Sequence, residues 1–168
     1  MDDNFGASKR EVVEREVKRL KTVFELDDLG ELMEYVGCKV DVDREKRTAK
    51  FTQPVMIQSF KDEFGAGKVR RVTPAEPGTM LPKVTDESQA LSAAKQAKYR
   101  SGVGKMMHMM RWSRLETYNS VRDCARHMKI AGEDHYEAMI RLMDYCISNP
   151  ERGLLLAPKG NWDGRDAS

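Results

Sequence analysis

No stretch of this chain reaches the ~18 consecutive apolar residues that span a bilayer. The first residues, MDDNFGA, are acidic and carry no apolar core of a secretory signal. Cysteine is scarce: Cys38, Cys124 and Cys146 are odd in number and far apart. That argues against a disulfide framework and for a reducing, intracellular setting. Nucleophile elbows of the G-x-S-x-G type are absent. GKVRR and GVGK lack the G-x-x-x-x-G-K-[ST] spacing of a phosphate loop. There is no internal repeat and no low-complexity tract.

What is there is an ordinary folded composition. The 168 residues are 40% hydrophobic and 33% charged, enough for one domain or two small lobes. The net charge of +2 hides an asymmetry. Residues 1–64 hold 12 basic and 15 acidic side chains, whereas residues 95–152 hold 11 basic and 7 acidic. The second half therefore suits contact with phosphates, although a solvated face gives the same bias.

The segment Tyr99–Cys146 organises the rest. Tyr136, Met139, Ile140, Met143, Cys146 and Ile147 recur at helical spacing and predict one buried helix face. Tyr118, Val121, Ala125 and Met128 predict a second helix, with Ser113-x-x-Glu116 spaced as a capping box. Ahead of them, Val103, Met106, Met107 and Met110 form one side of a third helix, and Arg100, Gly104 and His108 another. Gly104 costs that helix roughly 1 kcal/mol against alanine, so something is expected to pack close to its backbone. A second helix and a nucleic-acid backbone are the two candidates.

Earlier in the chain, Ser8 to Val23 reads as a helix capped by Ser8, with Val13, Val17, Leu20 and Phe24 as a buried stripe. Val36, Cys38, Val40 and Val42 alternate as a strand with one buried face. The polar turn Asp43–Lys46 leads to a second strand over Arg47–Gln53. Pro54 opens a helix carrying Met56, Phe60 and Phe64, which Gly65 and Gly67 close. Pro74, Pro77, Gly78 and Pro82 break periodicity, so residues 65–88 read as a surface-wrapping linker. Gly153 to Ala157 reads as one more strand. The pattern is α+β followed by an α-helical lobe.

Cys124-x-x-His127 with His135 is the one Cys/His cluster. A structural zinc site wants four ligands, usually in paired spacings, so core or surface roles fit better. The methionines at 106–110 read as core filler. Asp2-Asp3, taken alone, reads as a solvated tail.

Several blocks, in order, resemble the reverse transcriptase of copia-type long-terminal-repeat retrotransposons. They are FELDDLGELMEYVGCKVDVDREKRTAKFTQPVMIQSF, Pro74–Gly78 with Leu81-Pro82, YRSGVGKMMHMMRWSRLETYNSVRDCARHM, and DHYEAMIRLMDYCISNPERGLLL. The resemblance implies a partial palm (a β-hairpin with two helices) over 1–64, a linker over 65–88, a helical thumb/connection lobe over 89–150, and a tail over 151–168 leading toward a ribonuclease H domain. It implies that Asp2 and Asp3 are the aspartate pair of the Tyr-x-Asp-Asp signature, holding catalytic Mg²⁺. Val36 and Gly37 then fall in the primer grip. Arg100, Gly104 and His108 fall on the thumb helix that follows the minor groove of template and primer. Expected partners are an RNA/DNA template–primer and the remainder of the Pol polyprotein. The expected location is cytoplasmic, in a virus-like particle, or nuclear. Leu115-Glu116 and His108 depart from the family pattern, which has Pro-Asp and a larger aromatic there. The fingers and the third catalytic carboxylate are missing. The implied fragment is therefore inactive alone; the alternative is a non-catalytic nucleic-acid-binding or domesticated, degenerate remnant.

Overall fold

The computed structural model describes residues 8–157, so Asp2, Asp3 and the 158–168 end of the tail lie outside the described residues. The architecture is α+β: five α-helices and one four-stranded antiparallel sheet of strand order β1-β2-β3-β4.

Helix α1 (Arg10–Lys21) forms where an amphipathic pattern was read, but Lys9, not Ser8, occupies its N-cap and gives no side-chain bond. None of its residues is buried, and Phe24 beyond it is 61% exposed. The expected stripe is therefore not part of the core: Val13 and Val17 are half-buried, and Leu20 and Phe24 are exposed.

The sheet follows. Strands β1 (Glu34–Tyr35) and β2 (Cys38–Asp43) are joined by a two-residue turn of Val36 and Gly37. Both turn residues have positive φ, 50° and 71°. That is the demand of a type I′ hairpin turn, whose twist matches the strands it joins. Val36 is thus in the turn and not in the strand, which shortens the expected alternation. Cys38 and Val40 do face inward, but Val42 is 53% exposed. Strand β3 (Thr48–Thr52) pairs with β2 in the register Val40↔Phe51, and β4 (Leu154–Leu156) adds to β3 through Phe51↔Leu154. The chain end thereby covers the free edge of the hairpin.

Helix α2 (Pro54–Phe64) has Pro54 in its first turn and Gly65 as a left-handed cap, as expected. It presents Ile57, Phe60 and Phe64 to a core shared with α3 (Ala93–Trp112), α4 (Tyr118–Ala125) and α5 (Glu133–Ser148). The buried face of α3 is Tyr99, Gly102, Val103, Met106 and Met109, while Met107 is exposed. This face is rotated from the expected one. Tyr99 sets it by donating its hydroxyl to the Cys124 carbonyl at 2.7 Å. Gly102 sets it too, because a Cβ there would meet the Met139 sulfur, Phe64 Cε1 at 2.9 Å and Met143 Cε at 3.0 Å. Side chains from α2 and α5 fill the space a Cβ at Gly102 would take.

Ser113 and Glu116 do not form a capping box. Ser113 ends α3, and a short 3-10 turn (Leu115–Thr117) precedes α4. Glu116 instead accepts from Arg114 at 2.7 Å. Arg114 is 1% exposed; it also donates to the Asn149 carbonyl at 3.1 Å and lies over the Tyr145 ring. Its charge is matched by an acidic partner and carbonyls, which is what lets a guanidinium be buried.

The proline-broken segment runs along α5. Arg71 N–H donates to Ser148 at 3.0 Å, Arg141 pairs with Glu76 at 3.0 Å, and His135 Nε2–H donates to the Pro82 carbonyl at 2.8 Å. Between this segment, α4 and α5 lies a cavity of about 450 Å³.

Candidate nucleic-acid interface

Three ties fasten the sheet and the start of α2 to the C-terminal half of α3. Tyr35 meets Trp112 edge-on at 6.1 Å between ring centres. Ser113 donates its hydroxyl to Gln53 Oε1 at 2.7 Å, joining the end of α3 to the start of α2. His108 Nε2 lies 3.3 Å from the Val36 carbonyl. Because the partner is a carbonyl, Nε2 carries the proton, and the bond fixes the ring's tautomer and aim.

The last tie brings three expected residues together. Val36, Gly37 and His108 meet although 72 positions separate Val36 from His108. A groove of about 270 Å³ opens beside them, with Gln53, Met56, Ser59 and Lys105 in its lining. Lys105 is ion-paired with Glu63 and lies 3.3 Å from the Ser59 hydroxyl. Sequence reasoning missed Gln53 as part of this site. Nothing local marks it, since a glutamine before Pro54 reads as a strand end.

Gly104 lies one helical turn before His108. A Cβ built on it would meet nothing within 4 Å. Among the described residues, no helix therefore packs on Gly104. Arg100 lies one turn earlier and is exposed, but its guanidinium is engaged. Nε donates to the Met128 carbonyl at 2.8 Å, and an Nη donates to the Lys129 carbonyl at 3.3 Å. The structure thus puts Arg100 beyond the groove, holding the turn between α4 and α5.

The charge of α3 is one-sided. Its 20 residues include Lys95, Lys98, Arg100, Lys105 and Arg111 and no acidic residue. Lys95 is paired with Glu133 and Lys105 with Glu63.

The Cys/His cluster is structural. His135 is buried with both nitrogens engaged: Nδ1 accepts from Gly132 N–H at 3.0 Å while Nε2 donates to Pro82. His127 stacks on it at 4.1 Å between ring centres, and burial with the neighbouring His135 and Arg126 holds its pKa below the ordinary value. Burial pushes the Cys124 thiol up to about 11, so it is a poor metal ligand at neutral pH. Among the described residues, no group of three or more His, Cys, Asp or Glu is placed to hold a metal ion. The Mg²⁺ expectation rests on Asp2 and Asp3, which lie outside the described residues. Nor is any helix among the described residues long and apolar enough to cross a membrane.

These features define a helical lobe with a basic, glycine-notched helix clamped to a hairpin turn, and the chain is similar in sequence to retrotransposon Pol polyproteins. One such relative is the retrovirus-related Pol polyprotein from transposon TNT 1-94 of Nicotiana tabacum, 26% identical over 132 residues. The match takes in 75% of this chain and 10% of that polyprotein, so the chain spans about a tenth of the relative's length. No family model matches the chain, and no solved structure matches it. The similarity supports a retroelement-derived fragment.

Proposed function

We propose that this chain is the palm-to-connection part of a copia-type retrotransposon reverse transcriptase, and that it binds an RNA/DNA template–primer along α3. The observation that carries this reading is Gly104. It interrupts a 20-residue helix at a position where a Cβ would meet nothing within 4 Å. Helix stability disfavours glycine there by about 1 kcal/mol, and no packing within the described chain asks for it. A sugar–phosphate backbone lying against α3 does ask for it, since glycine allows the closest approach.

The surrounding chemistry supports the same reading. Lys98 and Arg111 add positive charge to α3, which carries no acidic residue of its own. The Val36–Gly37 turn, held by His108, stands at one end of this face. A turn held by a ring from the helix moves with the helix, so the pair offers one preorganised surface to a duplex. By the same proposal, Asp2 and Asp3 are half of a metal site that the remainder of the Pol polyprotein completes. The chain alone does not polymerise.

The test is anisotropy binding to an RNA–DNA hybrid between about 50 and 200 mM salt. The expected affinity falls steeply with salt, and Lys98→Gln or Arg111→Gln each lowers the log–log slope by about 1. No binding at the lowest salt, or binding indifferent to salt, refutes the interface. Primer extension by the purified chain refutes the non-catalytic part.

A further inference from the structure

The proline-broken segment is held to the helices mainly at its two ends. Upstream, Arg71, Thr73 and Glu76 bond to Ser148, Asn149 and Arg141. Downstream, Leu91 N–H donates to the Ala131 carbonyl at 2.8 Å. Between Glu76 and Leu91, one hydrogen bond among the described residues ties the segment to a helix, and it runs from His135 Nε2–H to the Pro82 carbonyl. Leu81 packs beside it against the core. Leu81 and Pro82 also line the cavity of about 450 Å³, so this bond fastens one wall of it.

The bonding of His135 fixes its protonation. Gly132 N–H donates to Nδ1 at 3.0 Å, so Nδ1 is bare; the Pro82 carbonyl can only accept, so Nε2 carries the proton. A half-turn of the ring puts carbons at both places and loses both bonds. The site therefore takes only the neutral ring. A proton on Nδ1 sets two N–H groups against each other in a buried place. His135 is also the third residue of α5, where the positive end of the helix opposes a cation. His127 stacks on the ring, and burial, His135 and Arg126 hold its pKa below the ordinary value. Asp123 of α4 acts the other way on His127, and Asp134 stands beside His135 on α5. Glu133 is committed to Lys95 of α3, and the segment itself carries Lys83 and Asp86, both exposed. These charges set the pH of the step; the bonding pattern ties the step to the segment.

We propose that His127 and His135 form an acid-sensitive latch: a proton taken from solvent by His135 Nδ1 expels the ring from between Gly132 and Pro82, and residues 81–84 lift to open the cavity. The latch is independent of the reading of α3 as a nucleic-acid interface. Its direction follows from linkage. The closed form binds fewer protons than the open one, so it is favoured above the ordinary histidine value of 6.5 and gives way as pH falls below it. For each proton taken up, the open population grows by up to about tenfold per pH unit. Cys124, buried in the closed form, lines the cavity that opens.

The experiment is a nuclear magnetic resonance titration of the full chain from about pH 7.5 down to about 4.5. It follows the ring nitrogens of His127 and His135, the methyl groups of Leu81 and Val84, and the exchange of the Gly132 amide. At the neutral end His135 should show the Nε2–H form. On acidification three changes should coincide: loss of that form, movement of the Leu81 and Val84 methyls, and a roughly tenfold or greater fall in Gly132 protection. The Leu91 amide should keep its protection throughout. His135→Gln can accept from Gly132 and donate to Pro82 without titrating, so it should abolish the acid step. Should that variant fail to fold, the unaltered chain decides alone, by whether ring and methyl signals move together. A ring that titrates while the methyls stay still overturns the latch. So does an undiminished acid step in folded His135→Gln, or a ring that stays neutral until Leu91 and the whole chain unfold.

Discussion

Two glycines on one helix make the packing of α3 measurable. Gly102 and Gly104 share a helix, so alanine at either gains the same propensity, about 1 kcal/mol. At Gly104 the new methyl meets nothing within 4 Å. Gly104→Ala should therefore stabilise the protein by about 1 kcal/mol, a rise of roughly 2–4 °C in Tm for a chain this long. At Gly102 the methyl would press on the Met139 sulfur and stand 2.9 Å from Phe64 Cε1 and 3.0 Å from Met143 Cε. The methionine tips can swing aside, but the Phe64 ring is packed in the core. Overpacking of this kind costs about 1–3 kcal/mol. Propensity cancels in the comparison, so Gly102→Ala should lie about 2 kcal/mol below Gly104→Ala, or roughly 4–8 °C in Tm. Urea unfolding and calorimetry on both variants read this difference directly. Equal stability of the two, or a loss at Gly104, would refute the assignment of the buried face of α3.

Two further outcomes follow from the turn and from the buried thiols. Val36 is β-branched with φ of 50°, and Val36→Asn creates the Asn-Gly pair that a type I′ turn prefers; the expected gain is about 1 kcal/mol in urea unfolding, and a loss would contradict the strain. Burial pushes the Cys124 and Cys146 thiols up to about 11 and about 12, against an ordinary value of 9.0. Above pH 9 the unfolded thiols release protons while the folded ones keep them. Stability should then fall by up to about 1.4 kcal/mol per pH unit for each thiol until the folded values are reached. Calorimetry from pH 8 to 11 on the unaltered chain and on Cys124→Ala and Cys146→Ala checks this, and an unchanged slope in the variants contradicts it.

Much of the fold was legible in sequence where punctuation and periodicity agree. Pro54 and Gly65 bracket α2, and Met139, Met143 and Cys146 of the expected α5 stripe are buried, while Tyr136, Ile140 and Ile147 are half-buried and Leu142 and Tyr145 join the core. The misreadings have physical causes. The run KMMHMM is apolar on several sides, so periodicity alone cannot choose between Met107 and Met109; the Tyr99–Cys124 bond and the tight fit at Gly102 make that choice. Val36 fits the period-2 alternation of a strand, yet the hairpin places it in the turn at positive φ, where valine is seldom found. The spacing of Ser113 and Glu116 matched a capping box, but the buried Arg114 draws Glu116 to itself. The stripe on α1 is real as a pattern, but none of its residues enters the core.

The candidate site divides in the same way. Gly104 was suspect from sequence because a helix interior disfavours glycine, and its open surroundings keep it so. The bonds from His108 to Val36 and from Ser113 to Gln53 join residues far apart in the chain, which no local pattern reports. The resemblance puts Arg100 on the helix face that follows template and primer, and in the fold its guanidinium holds the Met128 and Lys129 carbonyls.

The most direct test of the interface is hybrid affinity in Gly104→Leu at about 50 mM salt. Leucine is a good helix former, and its Cβ meets nothing in this chain, so the variant should fold with an undiminished Tm. If a nucleic-acid backbone lies against Gly104, the side chain blocks it, and binding to an RNA–DNA hybrid should weaken at least tenfold. Full affinity in a folded Gly104→Leu protein would show that no strand approaches α3 there, and the account of this helix as the binding face would fail.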